Sequence, residues 1–148
     1  EVLFMLLLPF FFKKYGFKKT ILIGMLAWGI RYLLFAYGNS GDLFFMLVAG
    51  IALHGICYDF FFVSGQIYTD SKAGIKIKSA AQGLITLATY GIGMLVWFWI
   101  AGKIGDSYML DGEIHDWKSI WMFPAIFSAG VFVFFFLFFK NEKIEYTE

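Results

Sequence analysis

The sequence predicts an all-α membrane protein, and three observations carry that reading. Apolar residues make up 60% of the chain and charged residues 16%, against about 45–50% and about 25% in soluble domains. The apolar residues gather in continuous runs, four of them long enough to cross a bilayer, which takes about 20 residues as a helix. The runs lack the alternation of membrane barrel strands, and short polar links separate them. A soluble fold could not hide twenty phenylalanines and still present a polar surface. The net charge of +1 leaves no basic patch apart from the links and argues against a nucleic-acid partner. A single cysteine, Cys57, excludes an internal disulfide and a cysteine-based metal site, and no cofactor is expected.

The whole chain, 1–148, reads as one partial and four complete helices, at about 1–13, 20–38, 43–69, 79–104 and 117–140. The first apolar run is too short to span and reads as the end of a helix that begins upstream, so the chain is expected to be part of a longer protein. The second carries one charge, Arg31, and the third one charge, Asp59. The fourth runs from Ser79 to about Ile100. The fifth, from Trp117, ends in a phenylalanine run with no polar stripe beyond Ser128 and reads as a lipid-facing outer helix.

The links assign direction. Lys13, Lys14, Lys18, Lys19, Lys72, Lys76, Lys78, Lys140 and Lys143 lie in the first link, the third link and the tail. The other two links hold Asp42, Asp106, Asp111, Glu113 and Asp116, with lysine only at the flanking Lys103 and Lys118. The positive-inside rule puts the lysine-rich links and the C-terminus in the cytoplasm. Trp97, Trp99, Trp117 and Trp121 then lie near the outer ends of the last two helices, as an interfacial aromatic belt.

Ionisable groups inside membrane helices need a reason to be there, because each costs several kcal/mol unless paired or wetted. Arg31 lies about 16 Å, and Asp59 about 12 Å, from the expected cytoplasmic ends of their helices at 1.5 Å per residue. The simplest expectation is an Arg31–Asp59 ion pair, either pinning two helices or leaving Asp59 to titrate beside a water-filled cavity. His54 and Tyr58 are four apart and share a face, a pairing that suits a flat polar ligand or simple packing. Gln66 closes a stripe that begins at Asp59. Gln82, Thr86, Thr89, Tyr90 and Gly93 form a polar stripe on the fourth helix, facing a cavity or hydrogen-bonding a neighbouring helix. No nucleophile–base pair, phosphate loop or metal-ligand spacing stands out, so an enzyme is not expected.

The run "LHGICYDFFFVSGQIYTDSKAGIKIKSAAQG" resembles the tenth helix, loop and eleventh-helix start of the nucleoside:proton symporters of the major facilitator superfamily. "AWGIRYLLFAYG" resembles their ninth helix, "PFFFKKYGFKK" the end of the eighth and its basic link, and "DWKSIWMFPAIFSAG" the start of the twelfth. The "YDFFFVSG" block is the most specific. The resemblance covers essentially the whole chain and implies the C-terminal part of a twelve-helix transporter in a bacterial cytoplasmic (inner) membrane. Its partners would be a nucleoside, a proton, the lipid bilayer and the missing N-terminal half. By resemblance, Glu1 falls at the glutamate of a ribose-holding Gln-x-x-Glu motif. His54 and Tyr58 fall at two aromatic positions that contact the nucleoside. The family pattern there is Tyr then Phe, so His54 departs from it. Asp59 and Arg31 match family residues and imply proton coupling or gating, with Gln66, Gln82, Thr86 and Tyr90 as cavity-lining candidates. The helix pattern by itself also suits a facilitator for sugars or other polar metabolites, or a structural membrane subunit pinned by Arg31 and Asp59.

Overall fold

The structure is a computed structural model that describes residues 2–110 and 115–140. Its architecture is four long helices in sequence: α1 (Val2–Tyr37), α2 (Phe44–Lys72), α3 (Lys78–Ser107) and α4 (Trp117–Phe138), each long and apolar enough to cross a membrane. The chain is a multi-pass membrane protein. Among the described residues the only extended pairing is one isolated bridge between Met109 and His115.

The first two expected helices are joined more tightly than the sequence suggests. Residues 13–19 are not a loop; the helix continues through the lysines on both sides and breaks only at Gly16, at φ 77 and ψ 168. Glycine lacks the Cβ that makes positive φ costly, so two arms, 2–15 and 17–37, meet at one residue. Elsewhere the chain turns through side-chain caps. Asn39 Oδ1 accepts from Gly41 N at 2.9 Å and Leu43 N at 3.1 Å, an Asx-type turn that leads into α2. Asp116 caps α4, with Oδ1 accepting from Ser119 N at 3.2 Å and Oδ2 from the Ser119 hydroxyl. Asp116 is half-buried, and the two Ser119 bonds, the hydroxyl first, hold its carboxyl below the ordinary value of 3.8.

Two helices carry an interruption that the apolar pattern does not show. The backbone of α2 passes through a π-turn at Asp59–Val63, and that of α3 through a longer one at Leu87–Gly93. Such turns hold an extra residue and concentrate at functional sites. In α3 the turn brings the Ala88 carbonyl so close to Gly93 that a Cβ there would lie 2.9 Å from its oxygen.

Packing is uneven. The 17–37 arm of α1 runs against both α4 and the π-turn of α2. Phe17, Thr20, Ile21, Gly24, Met25 and Ala27 are buried on α1, and Cys57, Asp59, Phe60 and Ser64 on α2. The closest approach is at Gly24, where an added Cβ would sit 2.9 Å from the Phe60 carbonyl carbon and from Phe61 N. Small residues let helices approach this way in membranes, where dispersion packing replaces the hydrophobic effect between helices. At the lysine-rich ends, Lys18 Nζ donates to Phe136 O at 2.8 Å, and the Lys78–Asp70 pair at 3.0 Å and Gln82 Nε2→Gln66 O at 2.7 Å join α2 to α3. Helix α3 itself buries no residue.

The last helix is therefore not wholly an outer, lipid-facing one. One face of α4 packs along α1, with Pro124 and Ala125 buried. The other leaves Ile126, Val133, Phe134, Phe136, Leu137 and Phe138 exposed, as lipid contact requires.

Candidate functional site

A cavity of about 690 Å³ opens between the four helices. Its walls are largely aromatic: Trp28, Tyr32 and Phe35 from α1; Tyr58, Phe61 and Phe62 from α2; Tyr90 and Trp97 from α3; Trp121 and Phe127 from α4. Such a volume, apolar walls and a few converging polar groups are the marks of a small-molecule site.

Two polar pairs cross it. Arg31 Nη1 lies 2.7 Å from His54 Nδ1. A guanidinium only donates, so Nδ1 accepts and the ring proton sits on Nε2. The Arg31 guanidinium also lies over Trp28 and Phe35, 5.3 and 5.2 Å from their ring centroids, and cation–π attraction holds it there. The second pair joins the Tyr90 and Tyr58 hydroxyls at 2.5 Å. Phe62 packs between these rings, 5.4 Å from Tyr58 and 5.6 Å from Tyr90. His54 and Tyr58 are 6.0 Å apart, ring to ring, so Arg31, His54, Tyr58 and Tyr90 make a polar strip from α1 across α2 to α3.

The Arg31–Asp59 ion pair expected from the sequence is replaced by this Arg31–His54 pair. The register of α1 on α2 explains the change. Gly24 is level with Phe60 and Phe61. The helices are antiparallel, so moving away from the lysine-rich ends by seven residues reaches Arg31 on one and by six residues reaches His54 on the other, about 10 Å in each case. Asp59 stays behind at the level of the glycine contact. It is wholly buried, opens the π-turn that packs on α1, and is not among the cavity-lining residues.

The other sequence candidates separate. Tyr90 lines the main cavity. Gln66 lines a smaller one of about 220 Å³, between Phe61, Phe62, Ile85 and Phe135. Gln82 lines neither and donates to Gln66 O. Thr86 is exposed and lines neither: the π-turn beginning at Leu87 breaks the spacing that set it on one face with Tyr90. Glu1 lies outside the described residues. Residues missed in the sequence are Trp28, Tyr32 and Phe35. With Arg31 they fall at i, i+3, i+4 and i+7, one aromatic face around the single charge of that helix, a signal that was there to be read.

The sequence model of the nucleoside H+ symporter family matches residues 1–144. The chain belongs to the nucleoside H+ symporter family. Among curated Escherichia coli K12 proteins, the putative nucleoside transporter YegT is 39% identical over 99% of this chain, the xanthosine permease 35% over 99%, and the nucleoside permease NupG 32% over 97%. The solved structure of NupG superposes with a TM-score of 0.85 at 32% identity over 95% of the chain, and that of a point mutant with 0.86 at 31% over 94%. The fold is that of the C-terminal part of this major facilitator family. The chain spans about a third of the relatives' length, 34–36% of the curated ones.

Proposed function

We propose that this chain forms the C-terminal part of a proton-coupled nucleoside transporter of a bacterial cytoplasmic (inner) membrane, with its C-terminus in the cytoplasm. The observation that carries the reading is the aromatic cavity crossed by the Arg31–His54 and Tyr58–Tyr90 pairs. A nucleoside has a flat base that stacks on aromatic rings and polar edges that need converging hydrogen bonds. Membership of the nucleoside H+ symporter family and the nucleoside and xanthosine permeases among the relatives support the same cargo. His54 and Tyr58 contact the nucleoside, and Glu1 is assigned to the ribose by resemblance. Transport proceeds by alternating access, the two halves rocking around a midplane site.

Asp59 is the coupling carboxyl in this reading. It lies deep in a membrane helix, where charge costs several kcal/mol unless paired or wetted, so its proton occupancy is tied to its charged neighbours and to whether water reaches it. Its place in a π-turn, beside the cavity wall but outside it, lets a change of helix packing alter that access. The test is uptake of radiolabelled uridine and adenosine by cells expressing the full-length protein, with and without a proton uncoupler. Asp59→Asn is expected to lower uncoupler-sensitive accumulation at least about tenfold, the scale of 1.4 kcal/mol. Unchanged proton-driven accumulation in that variant would remove Asp59 from coupling.

A further inference from the structure

The polar groups of the large cavity divide unevenly between donors and acceptors. Arg31 is the one charged side chain among its described lining residues. A guanidinium has five N–H donors and no acceptor, and is charged at any physiological pH. One donor meets His54 Nδ1, while Nε is buried without a hydrogen-bond partner among the described residues. The rings of Trp28 and Phe35 hold the group in place without offering it an in-plane acceptor. The tyrosine pair adds another donor. Two hydroxyls joined by one bond leave one proton uncommitted, whichever of the two donates. The lining hydroxyls of Thr89 and Ser128 already donate to Ile85 O and Ala125 O, so what they offer a ligand is neutral lone pairs. The strongest polar demand of the described cavity is for acceptors.

We propose that Arg31 is the specificity-determining residue of this cavity, and that with the Tyr58–Tyr90 pair it selects nucleosides whose base presents a carbonyl oxygen rather than an amino group. This rests on the nucleoside reading above and narrows it. An arginine fork matches the paired acceptors, carbonyl oxygen and ring nitrogen, of an oxo-purine, and a thymine-type ring shows a carbonyl on the same edge. Adenine and cytosine present an amino donor there, which would face the guanidinium donor to donor and leave both unpaired. A site built to hydrogen-bond one group discriminates strongly against an analogue that lacks it. Arg31 is thereby moved from coupling, where Asp59 remains, to recognition.

The experiment is competition among inosine, adenosine, uridine and cytidine for uptake by the full-length protein. Inosine is expected to compete at about tenfold lower concentration than adenosine, and uridine at severalfold lower concentration than cytidine, because only the oxo-purine offers the fork both of its acceptors. Arg31→Gln is expected to bring both ratios towards one. Arg31→Lys, which keeps the charge but not the fork, should recover part of the preference. The Tyr58→Phe, Tyr90→Phe double variant, which removes the uncommitted hydroxyl proton and leaves Arg31 in place, should reduce it severalfold and serves if the arginine variants fail to reach the membrane. Equal competition by all four nucleosides in the unaltered protein overturns the proposal while leaving nucleoside transport standing, as does a preference that survives Arg31→Gln intact. Uptake of none of the four removes the nucleoside reading and the proposal together.

Discussion

Helix α2 meets its two chain neighbours in opposite ways. Against α1 it closes tightly below the cavity: Gly24 admits the backbone of Phe60 and Phe61, and Thr20, Asp59 and Ser64 are sealed around that contact. Against α3 it touches at the lysine-rich end, through Lys78–Asp70 and Gln82–Gln66. It meets α3 again across the cavity, through the Tyr58–Tyr90 bond and the Phe62–Tyr90 ring contact. One side is a fixed pillar and the other an open wall. The cavity exists because the two contacts differ; a second glycine seam between α2 and α3 would fill it.

The contrast breaks most completely at Gly24. Gly24→Leu places carbon where backbone already stands, and overpacking of this kind typically costs about 1–3 kcal/mol and occasionally more. A lower melting temperature in detergent, with loss of yield, is expected; an unchanged melting curve would mean that the glycine contact is not the pillar. The open wall should be less sensitive. Tyr58→Phe and Tyr90→Phe each remove the same hydrogen bond, worth about 0.5–1.5 kcal/mol, and the double variant should cost little more than either alone. Strict additivity in that cycle would show the hydroxyls acting independently. The smallest effect is expected at the margin of both regions, in the Asp116 cap. The folded carboxyl titrates below the ordinary value of 3.8, so the unfolded chain binds more protons in the interval between the two. Stability from the cap is therefore complete above about pH 4–5 and lost as pH falls through the lower folded value. Asp116→Ala should flatten that acid limb in melting curves taken from about pH 6 downwards, and an unaltered limb would assign the acid sensitivity to other groups.

The helices were legible in the sequence because the bilayer imposes length and polarity on each run separately. The site was legible only in part. His54, Tyr58 and Tyr90 could be nominated from spacing within one helix, and the structure brings all three to the cavity. The partner of Arg31 could not, because relative depth was measured from the ends of the apolar runs, whereas the true register is set by one glycine contact in the middle. Thr86 fails for a related reason: α-helical spacing does not carry across a π-turn, and no local residue pattern announced the turns at Asp59 or Leu87. The lysines around Gly16 suggest a solvated link, yet charged residues at a membrane surface can remain helical, as they do here.

That single joint has a mechanical consequence. A loop between two helices has many dihedrals to move about; two helical arms that meet at one residue have only that residue's φ and ψ. Lys18, two residues past Gly16, is also bonded to the C-terminal end of α4 through Phe136 O. The arm that carries Arg31 and the helix that carries Trp121 are therefore tied together at one end, so two walls of the cavity share a single anchor beside the joint.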